Sequence, residues 1–212
     1  MVSTALGLAL TFRPVDEVSF KRTYTEKSNS FYHVSMSLPG GAGTVKTTVQ
    51  STVQVVGSEG GTLHMKVLKI DFPGVPDKGA LPDIVTKVGP SGMPNKASIK
   101  NGEEFFVFLG MAGLTTGTTA KIGETVKVHW QNDPKDCTVD GIGKITKVDS
   151  ATKLMMVDWK IDMKPSYTDS SMFAFKSVYD MSDMSLKSAD GTMTIGGASI
   201  KMTVSRKEKG SF

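Results

Sequence analysis

Residues 121–130 read KIGETVKVHW, and this stretch indicates the class of fold. After the glycine, the large apolar residues occupy every second position: Val126, Val128 and Trp130. The residues between them are polar, and a period of two is the signature of a β-strand with one buried face. Residues 154–163, LMMVDWKIDM, repeat the pattern and place Trp159 among the apolar positions. Both tryptophans are therefore expected to face the core.

The same alternation extends over most of the chain. Further segments with this period are 43–56, 62–72, 171–181 and 192–207, and two opening strands are predicted at Leu6–Phe12 and Val18–Thr25. Short turns rich in Gly, Asp and Ser separate the segments, and no long helical pattern lies between them. This spacing predicts an antiparallel meander of long strands rather than βαβ units.

The strand at 62–72 changes phase in its middle. Leu63, Met65 and Val67 share one face, whereas the next apolar residues have the opposite phase: Leu68, Ile70 and Phe72. A slip of one residue would turn the second half of the strand inside out unless an extra residue absorbs it. We therefore predict a β-bulge at Val67–Leu68, and because bulges bend strands, we expect a strongly curved sheet.

Residues 73–94 form an insertion rich in Pro and Gly. Within it, four apolar residues have the spacing of one helical face: Leu81, Ile84, Val85 and Val88. The Gly89-Pro90 pair is a natural end for a helix. The pattern predicts a short helix that lies with its apolar face on the sheet, since so short a helix is not stable alone.

Residues 103–111, EEFFVFLGM, are apolar on both faces, with Phe106 and Phe108 on the same side of an extended chain. A strand of this composition is expected to be covered on both sides. The cover is either the rest of the domain or a second copy of the chain, which leaves a homo-oligomer through this strand open.

The order of these elements resembles the lipoprotein-carrier-like fold of the LolA/LolB type. The closest similarity is to a group of uncharacterised bacterial exported proteins, which carry a strand with Gly, Asp or Glu, Thr and Trp before a C-terminal meander, as in residues 123–130. The resemblance implies a mainly β single domain over 1–212, built as an incomplete β-barrel whose concavity is plugged by one short helix. It also implies an apolar cavity and a periplasmic or secreted location after removal of a signal peptide, with a cytoplasmic location left open.

Composition and motifs argue against several other classes of function. The 25 basic and 21 acidic residues give a net charge of +4, and the lysines are scattered, unlike the clustered charge of nucleic-acid binding proteins. The basic run at 205–209 is interpreted as a solvated tail. One cysteine and three histidines show no metal-ligand spacing, and no catalytic motif or membrane-spanning apolar stretch occurs. We expect no enzymatic activity, no metal and no cofactor.

The expected function is the non-enzymatic binding of an apolar ligand, a lipid or an acyl chain, in the concavity of the sheet. The alternative is a structural or interaction module of an envelope or surface assembly, with a filled core. The residues predicted to line the ligand cavity are Leu81, Ile84, Val85, Val88, Phe106, Phe108, Trp130 and Trp159.

Overall fold

A computed structural model describes six ranges of the chain: 17–58, 60–74, 80–94, 104–131, 137–165 and 170–207. Their strands are β1 Glu17–Phe20, β2 Asn29–Ser37, β3 Thr44–Gly57, β4 Gly60–Asp71, β5 Asp83–Val88, β6 Thr118–Lys121, β7 Thr125–Gln131, β8 Cys137–Asp149, β9 Leu154–Pro165, β10 Ser171–Asp180, β11 Ser185–Ile195 and β12 Ala198–Lys207. A helix, α1, spans Glu104–Ala112, and a 3₁₀ turn lies at Pro39–Gly41. The opening strand predicted at Leu6–Phe12 lies outside the described residues, and the second opening strand ends at Phe20 rather than Thr25.

Ten of the strands form one antiparallel sheet in the order β5-β4-β3-β2-β12-β11-β10-β9-β8-β7. β5 and β7 are its two edges, so the sheet is a curved, incomplete barrel rather than a closed one. The remaining two strands, β1 and β6, pair as a separate antiparallel ribbon. The mainly β fold class and the unclosed curved sheet predicted from the sequence are therefore confirmed.

The alternation of the sequence sets the inner face of this sheet. Trp130 is 6% exposed and Trp159 is 1% exposed, which confirms that both tryptophans face the core. The buried side chains form one contiguous cluster that runs across the sheet and the elements inside it. Burial on this scale supplies the main favourable term for folding.

The predicted bulge is present. Val49 pairs with Val67 and Thr48 pairs with Lys69, so Leu68 is the extra residue in β4. Val67 and Ile70 consequently point to the same side, and Leu68 is left 36% exposed. Further register shifts occur later in β3, in β8 and between β10 and β11, and each bends the sheet locally.

The helix predicted at 81–88 is wrong. Residues 83–88 form strand β5, which pairs antiparallel with β4 so that Ile84 lies opposite Met65 and Thr86 opposite Leu63. β-branched residues dominate this segment and prefer extended backbone. β4 would otherwise be an unpaired edge, and this pairing outweighs a helical spacing of only two turns.

The strand predicted at 103–111 is also wrong, because this segment forms α1. Its described side chains are buried almost completely: Phe106, Val107, Leu109, Met111 and Ala112. A helix satisfies its own backbone hydrogen bonds, so a segment that is apolar all round can be enclosed without neighbouring strands. These side chains do not form the exposed surface that was expected of a subunit contact.

The short helix that plugs the concavity is therefore α1, not residues 81–88. Ser177 Oγ on β10 donates a 2.7 Å hydrogen bond to the carbonyl of Ala112 at the end of α1. The β1–β6 ribbon is joined to the segment after α1, since the Gly117 amide donates to the Phe20 carbonyl at 3.0 Å. The Phe20 ring packs on Trp159 and Tyr179 at centroid distances of 5.9 and 5.4 Å. We use "the plug" below for α1, residues 113–117 and the β1–β6 ribbon.

Two glycines of β8 make room for Trp159. Gly143 lies directly opposite Trp159 on β9, and Gly141 lies next to it on the inner face. A β-carbon at Gly143 would lie 2.6 Å from the Trp159 ring, whereas one at Gly141 would lie 2.8 Å from Leu114 Cδ2 and 3.5 Å from the ring. The rigid indole ring thus fills the space that a side chain at 143 would need.

We expect Gly143→Ala to destabilise the protein by about 1–3 kcal/mol, because the added methyl must displace a rigid ring in a packed core. Gly141→Ala is the matched control, since its nearest neighbour is a leucine methyl that can turn aside. Urea melts of both variants measure the difference. Equal stability of the two would contradict the packing of Trp159 over Gly143.

Deletion of Leu68 provides a second test. Removing the bulged residue leaves Val67 inward, Lys69 outward and Ile70 inward, so the strand remains in phase with β3. We expect the shortened protein to unfold cooperatively in urea. Deletion of Lys160 from β9 should abolish cooperative unfolding, because it turns Ile161 outward and Asp162 into the core. Loss of cooperativity on deletion of Leu68 would show that the bulge itself is required.

Candidate functional site

The centre of the concavity contains a chain of hydrogen bonds surrounded by apolar side chains. Trp159 Nε1 donates to Tyr179 Oη at 2.8 Å, and Tyr179 Oη donates to the Leu114 carbonyl at 2.7 Å. All three groups are buried, and burial raises the pKa of the Tyr179 hydroxyl, which keeps it a neutral donor. These hydrogen bonds join β9 and β10 of the sheet to the plug.

The eight residues predicted to line a ligand cavity are spread over the molecule. Phe106 and Trp159 are packed in the filled centre, and Trp130 is buried on β7 near one edge of the sheet. Leu81 and Ile84 are half-buried at the other edge, Val88 is buried there, and Val85 points outward with 54% exposure. Phe108 belongs to α1, but its side chain lies outside the described residues.

A cavity of about 460 Å³ opens on the concave side of the sheet, beside the plug. Its walls come from inner-face residues of β3, β4 and β11, from the ends of β2 and β12, and from residues 22–28. The lining comprises Arg22, Thr23, Tyr24, Thr25, Ser28, Asn29, Ser30, Phe31, Ser51, Val53, Leu63, Asp183, Ser185, Arg206 and Lys207. Three of these are cationic and one is acidic, and none was predicted as a ligand-binding residue.

Residues 21–28, which we call the strap, cross the mouth of the concavity between β1 and β2. The Thr23 amide donates to the Asp183 carbonyl at 3.0 Å, and Tyr24 Oη donates to the Gly89 carbonyl at 3.0 Å. At the other end the Lys27 amide donates to the carbonyl of Val53 at 2.8 Å. A few hydrogen bonds, rather than a continuous ladder, therefore hold this wall of the cavity.

The side chain of Arg22 extends from the strap into a space between the Tyr24 ring and Gly92. Its guanidinium lies 5.5 Å from the centroid of the Tyr24 ring, in cation–π geometry. A β-carbon at Gly92 would approach Arg22 Nη1 to 3.1 Å, so this glycine leaves room for the side chain, whereas one at Gly113 would lie 3.7 Å away, at an ordinary contact distance. Burial lowers the pKa of Arg22, but Tyr24, Tyr32 and Asp183 together outweigh this effect, and the net shift of the pKa is upward.

Arg206 lies on the inner face of β12, so the solvated tail predicted at 205–209 is wrong for this residue; Lys207 is exposed, and residues 208–209 lie outside the described residues. Its guanidinium hydrogen-bonds Ser185 Oγ and lies 3.3 Å from Asp180 Oδ2. Lys187 Nζ approaches the same carboxylate oxygen to 3.1 Å, and Ser182 donates through both its amide and its hydroxyl. Asp180 therefore neutralises much of the charge of Arg206 and holds it against the cavity wall.

A second cavity, of about 430 Å³, lies at the β3–β4 turn. Its walls are mostly backbone and small side chains around Gly57, Gly61 and Gly89, with Lys87 at its rim. It is more open than the first and offers few side chains for specific contacts.

Other chemistry is sparse in the part of the chain that the structure describes. His64 and His129 point outward and contact Asp83 and Asp140 across strands at 2.5 and 2.7 Å. The Cys137 thiol is buried, and its Sγ lies 3.8 Å from the Thr138 carbonyl oxygen. Within the described ranges no three His, Cys, Asp or Glu side chains come together as a metal site. No helix of these ranges has the length and apolarity needed to cross a membrane.

The Asp180 cluster should give the protein a pH-dependent stability. Burial raises the pKa of the carboxyl, but the Ser182 hydrogen bonds and Lys187 lower it to about 2, from an ordinary value of 3.8. A lowered carboxyl pKa stabilises the folded state fully above the ordinary value, and this contribution is lost as the pH falls toward about 2.

We therefore expect Asp180→Asn to be less stable than the wild type by about 1–2 kcal/mol near neutral pH. The difference should shrink below a pH of about 4 and vanish as the pH approaches the shifted pKa. Urea melts over a pH series provide the measurement, with Asp190→Asn, an exposed carboxylate, as the control. A difference that does not change with pH would contradict the role of the charge.

No family model, no curated protein and no solved structure matches this chain. The resemblance to the lipoprotein-carrier-like fold therefore stays a prediction, which agrees with the observed fold class but is not tested by it.

Proposed function

We propose that this protein is a non-enzymatic binding protein that holds an acyl chain or a similar apolar ligand at the mouth of its curved sheet. The observation that carries the proposal is the cavity of about 460 Å³ between the strap and the inner face of the sheet. Its volume lies within the range of small-molecule sites. The ligand predicted to lie in the concavity thus keeps its side of the sheet in this proposal, but the lining residues are different, because the plug fills the space around Phe106 and Trp159.

The apolar part of the cavity supports the choice of ligand. Val53 and Leu63 occupy neighbouring positions on the inner faces of β3 and β4, and the Tyr24 ring belongs to the strap that crosses the mouth. An extended chain lying between these groups would bury apolar surface at about 25 cal/mol per Å². Ser51 and Ser30 sit opposite each other on β3 and β2 and provide hydroxyl groups beside this path.

The strap supports a route for entry. It is joined to the body by separate backbone hydrogen bonds, and the side chains of Thr25, Glu26 and Lys27 are exposed. Segments with few buried contacts open at low free-energy cost, and ligand-gating elements are drawn from such segments. The strap is thus the wall whose displacement would admit a chain.

One observation favours the alternative, a structural or interaction module. The central concavity is filled, and large apolar side chains are exposed near the β5 edge, including Val55, Val56 and Val85. Apolar side chains near an unpaired sheet edge are typical of sites for strand addition or association. Native mass spectrometry distinguishes the two functions, because it reports both co-purified ligand and oligomers.

We expect Val53→Trp to abolish binding of a fluorescent acyl probe, since the indole would occupy the space beside Leu63. Val85→Trp is the matched control, because this residue is 54% exposed on the outer face of β5. Titration of the purified proteins with a dansyl-labelled fatty acid measures the binding, and a urea melt checks that each variant is folded.

Absence of probe binding by the folded wild type would refute the proposed function and favour the interaction module. Equal binding by Val53→Trp and the wild type would place the ligand elsewhere. The periplasmic or secreted location expected from the resemblance also remains a proposal, which fractionation of the source cells would check.

A further inference from the structure

We infer that the ligand of the mouth cavity carries an anionic head group, a carboxylate or a phosphate, and that Arg22 binds it. This inference rests on the proposed function and narrows it to amphipathic anions. An apolar chain alone does not account for a guanidinium set into the cavity wall, since Arg22 would have to be desolvated when the chain enters.

Contacts with neighbouring backbone fix the position of Arg22. Its side chain passes beside Gly92, which precedes α1 in the sequence, and lies within contact range of Gly113, which follows it. Its own backbone amide is hydrogen-bonded to the Pro90 carbonyl at 3.3 Å. The backbone at Gly92 has a φ of +81°, which favours glycine, and the absence of a β-carbon there leaves open the space beside the Arg22 guanidinium.

The charges around the cavity leave Arg22 able to accept an anion. Among the described residues, no carboxylate oxygen lies within 4.0 Å of its guanidinium, and Asp183 is near enough only to interact at longer range. Arg206 differs, because Asp180 neutralises it. Lys207 adds a further positive charge at the exposed rim, so the lining has an excess of cations.

Guanidinium geometry matches an oxyanion. The planar fork can give two parallel hydrogen bonds to a carboxylate or phosphate, and such bonds are stronger than those between neutral groups. The apolar wall of Val53 and Leu63 then takes the part of the ligand that follows the head group. A cation at one side and apolar side chains at the other select an amphipathic anion over a neutral lipid.

The test compares two probes on the wild-type protein, a dansyl-labelled medium-chain fatty acid and its methyl ester. They share the apolar chain and differ in the charge, and we expect the acid to bind roughly tenfold more tightly or better. Arg22→Gln should reduce the affinity for the acid to that for the ester and leave the ester unchanged. Arg22→Lys should retain part of the preference, since it keeps the charge and loses the fork.

Lys160→Gln is the control for net charge, because Lys160 is an exposed lysine on the outer face of β9. It should leave the affinity for both probes unchanged. Competition with lysophosphatidic acid and with inorganic phosphate separates the two sources of an anion. Displacement of the probe by the lipid but not by phosphate at the same concentration supports an amphipathic ligand.

Each remaining outcome is decisive. Equal affinity for acid and ester overturns the inference and leaves the proposed function intact, whereas absence of binding by either probe removes the proposed function itself. If inorganic phosphate displaces the probe as efficiently as the lipid does, the inference of an amphipathic ligand is wrong. If Arg22→Gln does not fold, the wild-type comparison of acid and ester still decides the question.

Discussion

The interior depends on how the sheet satisfies the carbonyl groups at the end of α1. A helix ends with unpaired carbonyls, and enclosing them in an apolar core costs several kcal/mol unless they find donors. Ser177 and Tyr179, both inward-facing on β10, donate to the carbonyls of Ala112 and Leu114. Trp159 in turn donates to the Tyr179 hydroxyl. One short chain of hydrogen bonds therefore lets a helix occupy the concavity of a sheet.

Charged side chains on the outer face of the sheet help to set the register of the strands. On the inner face, the register is set by packing. One row across four neighbouring strands alternates in sign: Lys144, Asp158, Lys176 and Asp190. Opposite charges in directly facing positions favour that pairing, and a slip of two residues would preserve the inner face but break this row. Exposed pairs of this kind contribute little each, so their main effect is discrimination between registers.

The sequence predicts the strands well because their periodicity is local, and it fails where periodicity is ambiguous. The phase change at Leu68 located a bulge to the residue. By contrast, residues 83–88 fit a helical face over only two turns, and residues 104–112 are apolar on both faces, which suits a buried strand or a buried helix equally. Those two assignments depend on neighbours that are distant in sequence. The free edge of β4 favours a strand at 83–88, and the hydroxyl groups of β10 favour a helix at 104–112. The plugging helix was thus expected, but in the wrong segment.

The mouth cavity was beyond reach of sequence patterns because its lining comes from separate segments that share no motif. Arg22 and Gly92, for example, are 70 residues apart in the sequence and meet only in the folded chain. Among the described residues Arg22 has no carboxylate at contact distance, and its guanidinium lies over the Tyr24 ring instead. The filled centre around Trp159 and the mouth cavity lie at different places on the same inner face. A rigid core and a charged opening thus occupy different parts of one sheet, so a ligand held at the opening as proposed would leave the packing around Trp159 undisturbed.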